Sequence, residues 1–229
     1  MSDEVVPATL RIRDLPAACA GRSLGLCAGD VLLAVNGRTF QGDAAALQRL
    51  VAASGYTAAL TFQRGAVEVT VLVGTSTLCR WDAVPAPAED RARRRIDPAF
   101  LRNWEVMRAR DGGYDLFAMR LPTLGLVAPQ LWLMQMRLWL PCAILVSAVA
   151  AGFIVHPLLA LAVQGAGAVH LRWAHVMYLR LDRRSRGFGF HTVVAARSEA
   201  AAHAAYRALQ PDDRYLFAAT PKQREAVAA

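Results

Sequence analysis

The sequence predicts an α+β fold: a small β-rich N-terminal domain, an α-helical transmembrane hairpin and a short β-α C-terminal element. Three observations carry that expectation. Residues 1–80 alternate short apolar runs with Gly, Asn and Asp turn signals. The 34 residues from 138 to 171 contain no Asp, Glu, Lys or Arg. Residues 187–229 return to a mixed composition with one strand-like and one helix-like run.

Composition narrows the class before any element is placed. The 229 residues suit one or two domains. Hydrophobic residues make up 55%, charged residues 19%, and mean hydropathy is +0.27. A disordered chain would be richer in charge and poorer in apolar residues. Lys and Arg outnumber Asp and Glu by 26 to 18, and the excess is concentrated. Arg91, Arg93, Arg94 and Arg95 form one cluster; Arg180, Arg183, Arg184 and Arg186 form another. The most apolar part of the chain lies between them. Basic clusters flanking an apolar stretch mark a membrane segment with both flanks on the cytoplasmic side. The expected location is therefore the bacterial inner (cytoplasmic) membrane, with the N- and C-terminal parts in the cytoplasm. No RNA-binding aromatic motif accompanies the arginines, so lipid is the expected partner and nucleic acid is not. The N-terminus shows no apolar signal segment. Cys19, Cys27, Cys79 and Cys142 are scattered and are expected as reduced thiols.

The first domain, residues 1–80, reads strand, turn region, strand, helix, hairpin. ATLRI alternates as a strand does, and VLLAV (31–35) is a short buried strand ending at Asn36-Gly37, a pair that tolerates positive φ in a tight turn. Asp43 can cap a helix from Ala44 to Ala53, on which Leu47, Leu50 and Val51 form one apolar face. TAALTFQR and VEVTVLV then join at Arg64-Gly65-Ala66 as a hairpin. Residues 81–99 are Pro-, Ala- and Arg-rich and read as a linker.

Residues 100–186 read as the membrane domain. A segment at 116–136 is apolar but broken by Arg120, Pro122, Gly125 and Pro129, which suits an interfacial or re-entrant path. His156-Pro157 interrupts the uncharged run near its middle, because proline suits the first turn of a new helix. Two spans are expected, about 138–155 and 157–178. Trp132, Trp139, Trp173 and Tyr178 sit near the proposed interfaces. Gly165 and Gly167 would let another helix approach closely. Residues 187–229 read as a small cytoplasmic β-α tail: GFGFHTVVAA a strand, Ser198 the cap of a helix from Glu199 to Leu209, and a short strand within 212–219.

The run PAACAGRSLGLCAGDVLLAVNGRTF, with the helix and LTFQRGAVEVTVLV after it, resembles a bacterial PDZ domain over residues 8–73. The matching positions are Pro16-Ala17-Ala18, Gly29-Asp30, Val31–Val35 and Asn36-Gly37. Physically, Asp30 can accept backbone N–H bonds at the head of a buried strand, and Gly37 supplies a positive φ. Gly29, Asp30, Asn36 and Gly37 are read as fold-determining turns. The resemblance implies capture of an extended peptide C-terminus between a strand edge and a helix, with a Gly-containing loop before that strand holding the carboxylate. The chain departs from the pattern, since only MSDEVVPA precedes the first matching strand. A later segment such as Thr75 to Trp81, or a partner, would have to fill the groove strand's place.

Residues 104–210 resemble the DUF2628 family of small bacterial inner-membrane proteins of unknown function. Trp104, Asp111-Gly112, Leu131-Trp132-Leu133, Arg137-Leu138-Trp139 and the closing GFGFHTVVAARSEAAAHAAY carry the likeness. It implies a membrane hairpin with cytoplasmic ends and no known chemistry.

No catalytic constellation is visible: HExxH and GxSxG are both missing, and no metal-ligand spacing occurs among the His and Cys residues. No enzyme activity, cofactor or metal is expected. The expected function is that of a non-catalytic adaptor or accessory subunit that holds or caps a membrane protein complex. Its partners would be the lipid bilayer and one or more proteins, bound through Leu47, Leu50, Val51, Gly165 and Gly167. A regulatory partner that presents substrates to a separate protease is the alternative. A haem-binding membrane subunit using His156 and His170 is a third reading.

Overall fold

The computed structural model describes residues 8–86, except 18, 56 and 76, and residues 95–218. The elements run β1 (Ala8–Asp14), α1 (Ala20–Ser23), β2 (Val31–Val35), β3 (Arg38–Thr39), α2 (Ala44–Ala53), β4 (Ala58–Arg64), β5 (Val67–Val73) and β6 (Arg80–Pro85). A single 3-10 turn at Pro98–Phe100 leads to β7 (Arg102–Arg108) and β8 (Gly113–Ala118). Then come α3 (Thr123–Val127), α4 (Pro129–Gln135), α5 (Trp139–Val155), α6 (Pro157–Ser185), β9 (Gly189–Ala196), α7 (Glu199–Leu209) and β10 (Arg214–Tyr215). The α+β class stands, with two sheets and helices.

The chain divides into two compact units, 1–118 with 191–229, and 119–190. The first unit contains a sheet ordered β5-β4-β2-β1-β6, with β3 paired to β2. Its core is apolar: Leu10, Ile12, Leu32, Leu60, Phe62 and Val71 are buried with Leu47 and Val51 of α2. Asn36 and Gly37 both have positive φ, 53° and 75°, and turn β2 into β3. The hairpin β4–β5 turns at Gly65-Ala66 with Arg64 opposite Val67. Asp43 caps α2 through the Ala46 N–H at 2.7 Å.

β6 corrects the linker assigned to 81–99. Residues 80–85 are a strand that pairs antiparallel with β1, Leu10 opposite Ala83. Beside the first strand, where a segment such as Thr75 to Trp81 or a partner was expected, stands β6, which shares Arg80 and Trp81 with that segment. The rest of the linker's Arg91, Arg93 and Arg94 lie outside the described residues.

Residues 102–118, grouped above with the apolar segment, instead form β7 and β8 of a second sheet ordered β10-β8-β7-β9. The tail supplies its other strands, β10 running parallel to β8. α7, capped by Ser198 at the Ala201 N–H, covers a small core of Val106, Tyr114, Leu116, Val194 and Tyr206.

The second unit is a helical hairpin, α5 and α6, braced by α3 and α4. The turn falls at His156-Pro157 as expected: Pro157 opens α6, and His156 Nδ1 accepts the Leu158 N–H at 3.2 Å. The two transmembrane spans, 138–155 and 157–178, are corrected. No described helix is long and apolar enough to cross a membrane. The 17 residues of α5 rise about 25 Å at ~1.5 Å each, short of the ~30 Å hydrocarbon layer. α6 has 29 residues, but Arg172, Arg180, Asp182, Arg183 and Arg184 occupy its second half. The segment 116–136 becomes the end of β8 and two short helices. Trp132, assigned to an interface, is buried and meets His175 edge-on at 6.1 Å.

Candidate functional site

The two edges of the first sheet are treated differently. At the β5 edge, the Asn103 side chain of β7 bonds the backbone of Leu72 twice: its Oδ1 accepts the Leu72 N–H at 2.8 Å, and its Nδ2 donates to the Leu72 carbonyl at 2.8 Å. The carboxamide thus stands where a neighbouring strand would. At the other edge, β6 has β1 on one side and no further strand on the other among the described residues. Such an edge offers unpaired backbone groups to an added strand.

β6 is held to its neighbour from several directions. Trp81 stacks flat on the core residue Phe62, ring centroids 6.3 Å apart and 5° between planes. Asp82 lies within ion-pair range of both Arg11 (3.8 Å) and Arg13 (3.7 Å), and Arg80 pairs with Asp14 at 3.3 Å. These exposed pairs add little stability, but they favour one register.

The predicted interaction face of α2 is corrected. Leu47 and Val51 are buried in the sheet core, while Leu50 is 44% exposed. The residues at i and i+4 share one side of the helix, and that side closes the domain's own core. Only Leu50 remains for a partner.

The turn residues hold the domain together. Asp30 is buried, and its Oδ2 accepts the Cys27 N–H at 2.9 Å. Sequence reasoning missed its second partner. Arg64 donates to Asp30 through Nε at 2.9 Å and Nη2 at 2.6 Å, and Nη2 also reaches the Gly25 carbonyl at 2.9 Å. The hydrogen bond to Asp30 raises the Arg64 pKa further above its ordinary value. Asn36 ties its turn to β4, accepting the Ala59 N–H at 2.8 Å and donating to Ser54 Oγ at 3.0 Å. Gly29 has φ 93°, with open space where a side chain would start.

In the hairpin, Gly167 serves an internal contact, a second correction. A Cβ there would stand 2.6 Å from Leu145 Cδ1 of α5. Gly152 does the same closer to the tip, its Cβ position 3.2 Å from the backbone of Ala160. Gly165 has nothing within 4 Å and stays open. Gln130 and Gln164 join α4 to α6 by a reciprocal amide pair, 2.5 and 3.1 Å. His170 bonds the Tyr178 hydroxyl at 2.8 Å, and buried His175 bonds the carbonyls of Met119 (3.1 Å) and Arg172 (3.2 Å).

The second sheet carries a polar and aromatic cluster that no local signal announced. Arg108 grips Asp213 through two bonds, 2.6 and 2.8 Å, and the Tyr206 hydroxyl donates to the same carboxylate at 2.6 Å. Beside them the Tyr114 hydroxyl bonds His203 Nδ1 at 2.9 Å. The Arg108 bond holds the Asp213 carboxyl below its ordinary range, and burial pushes the Tyr206 phenol up. Burial also lowers His191 and His203. Arg108, Tyr206 and Asp213 satisfy one another, which suits a lock between β7, α7 and the strand that follows. Among the described residues no group of three or more His, Cys, Asp or Glu could hold a metal ion. All four cysteines are free thiols, and burial pushes Cys79 up to about 12.

No protein-family model, no curated protein and no solved structure matches this chain. The likenesses to PDZ domains and to the DUF2628 family rest on the sequence motifs quoted above.

Proposed function

We propose that this chain is a non-catalytic adaptor or accessory subunit, anchored by its helical hairpin in the bacterial inner membrane with both terminal parts in the cytoplasm. The observation that carries the reading is the exposed apolar surface of that hairpin. Around its tip, Phe153, Ile154, Val155 and Leu158 are 65%, 86%, 74% and 67% exposed. A patch of that kind marks a surface that meets lipid or protein. Since neither helix is built to cross, the hairpin enters the bilayer tip first and returns. The basic end of α6 remains at the surface, where arginines favour anionic lipid.

The interaction half of the proposal rests on the unpaired edge of β6, with Leu50 exposed on α2. By its resemblance to PDZ domains, this edge takes an extended segment of a protein partner by strand addition. On that resemblance, Gly74 and Thr75, which follow β5, would belong to the Gly-containing loop that takes the carboxylate. A regulator that presents substrates to a separate protease would use the same edge, and its partners would share related C-termini.

The test is a tagged purification in mild detergent, wild type beside Leu50→Glu, with co-purifying proteins identified by mass spectrometry. A stoichiometric partner lost in the variant is the expected result. Absence of any partner from wild type overturns the adaptor reading. Failure of the protein to float with lipid vesicles overturns the anchor.

A further inference from the structure

Within the first unit, three segments far apart in the sequence meet around one pocket: the Asn36-Gly37 turn, residues 95–100 and the turn from β9 into α7. The Ile96 N–H donates to the Asn36 carbonyl at 3.0 Å, which seats the second segment against the first. Asp97 caps the 3-10 turn that follows, its Oδ1 accepting the Ala99 N–H at 2.9 Å. Arg197 stands between the end of β9 and Ser198, the cap of α7. The pocket they enclose measures about 550 Å³.

Its lining has three chemical parts. Arg95 and Arg197 bring two guanidiniums to it, and neither has a hydrogen-bond or ion-pair partner among the described residues. By contrast, Arg11, Arg13, Arg64, Arg80 and Arg108 of the same unit each lie within ion-pair range of a carboxylate. Like charges gathered at one pocket repel unless an anion joins them. Phe100 adds an aromatic ring, 66% exposed, with Ile96 and Pro98 beside it in the lining. Asp97 is the third part. Its Oδ1 is held by the Ala99 N–H, which leaves Oδ2 as an acceptor. Two guanidiniums against one carboxylate keep the lining positive.

We infer that this pocket binds a nucleoside phosphate. The guanidinium forks of Arg95 and Arg197 match the oxygens of a phosphate. A flat base stacks on the open ring of Phe100. A base amino group or a ribose hydroxyl donates to Asp97. A bare anion has no use for the ring, and an apolar ligand has none for the arginines. The volume lies within the ~300–1,000 Å³ of small-molecule sites. This site needs neither the membrane nor the open edge of β6.

The test is calorimetric titration of the full chain in mild detergent. The probes are adenosine, guanosine, cytidine and uridine monophosphate, the matching nucleosides, and ribose 5-phosphate. The expected result is one nucleotide per chain, with the nucleoside and ribose 5-phosphate each at least ~10-fold weaker. Binding should weaken as salt is added, since the phosphate contacts are screened. Arg95, Phe100 and Arg197 are exposed, so replacing them leaves the core intact. Arg95→Gln and Arg197→Gln should each weaken the nucleotide about 10-fold, the usual size of a lost charge-assisted bond. Phe100→Ala should bring the nucleotide down to the level of ribose 5-phosphate. Arg22→Gln, exposed and outside the pocket, should change nothing. Failure of every nucleotide to bind overturns the inference, as does equal binding by Arg95→Gln/Arg197→Gln. Ribose 5-phosphate as tight as the nucleotide leaves a bare phosphate site and also overturns it. A short single-stranded RNA that binds far more tightly than any nucleotide makes nucleic acid the ligand instead.

Discussion

The Asn103 carboxamide closes the edge of a sheet to which it does not belong, pairing with both the N–H and the carbonyl of Leu72 at 2.8 Å each. One side chain thereby satisfies two backbone groups that would otherwise form an open edge. Asn103→Ala removes both bonds and is expected to cost about 1–3 kcal/mol. Asn103→Asp keeps an acceptor for the Leu72 N–H but turns a carboxylate toward its carbonyl. It should be at least as destabilising above pH 5. Denaturant titration checks the stability, and amide exchange at Leu72 checks the site.

Asp30 is buried and relies on Arg64 for its charge balance. Removing the guanidinium strands a carboxylate in a low-dielectric core, which costs about 3–5 kcal/mol where a buried pair is broken from one side. Arg64→Ala should therefore unfold the first sheet far more readily than Asp30→Asn, which leaves an amide able to bond Arg64. The comparison is made on urea midpoints of the two variants.

Acid should weaken the second sheet in two stages. His191 and His203 are held below their ordinary range, chiefly by burial. The unfolded chain then takes up their protons first as pH falls, near ~6.5. Their stabilising contribution is complete above that pH and declines below it, down to the lowered folded values. Asp213, lowered by Arg108, contributes above the ordinary carboxylate range and is lost as pH falls through its folded value. Both effects have the same sign. Melting temperature followed from pH 8 to pH 3 should fall in both windows, and His191→Gln/His203→Gln should flatten only the upper one.

The hairpin glycines should separate cleanly. A side chain at Gly152 meets the Ala160 backbone at 3.2 Å, which cannot rotate away. Gly152→Val should push the helices apart at a cost of about 1–3 kcal/mol. Gly165 has no neighbour within 4 Å, so Gly165→Ala should be neutral or gain up to ~1 kcal/mol of helix propensity. Thermal melts of the full chain in detergent decide both. A Gly165→Ala protein as unstable as Gly152→Val would show a contact at that face.

Elements with a local cause were legible. α2 and α7 begin at Asp43 and Ser198, residues whose side chains cap their own helices, and both run as the apolar period predicts. VLLAV ends where Asn36 and Gly37 accept positive φ, and the hairpin turns where Pro157 can open a helix. Leu47, Leu50 and Val51 were rightly placed on one helix. Whether its apolar side met a partner or the domain's own sheet depended on what stood opposite.

What the tertiary structure decided is pairing between distant segments. RWDAVP carries no strand signal within its Pro- and Ala-rich surroundings; it is a strand because β1 lies beside it. β7 and β8 form a sheet with strands from the tail, and Arg108 meets Asp213 across 105 positions. Neither residue marks the other in the sequence. The sequence by itself determined where backbone conformation and burial period change, because those depend on neighbours within a few residues. Which edge was sealed, which leucines were hidden and which arginine held which carboxylate followed only from packing, because those free energies belong to pairs.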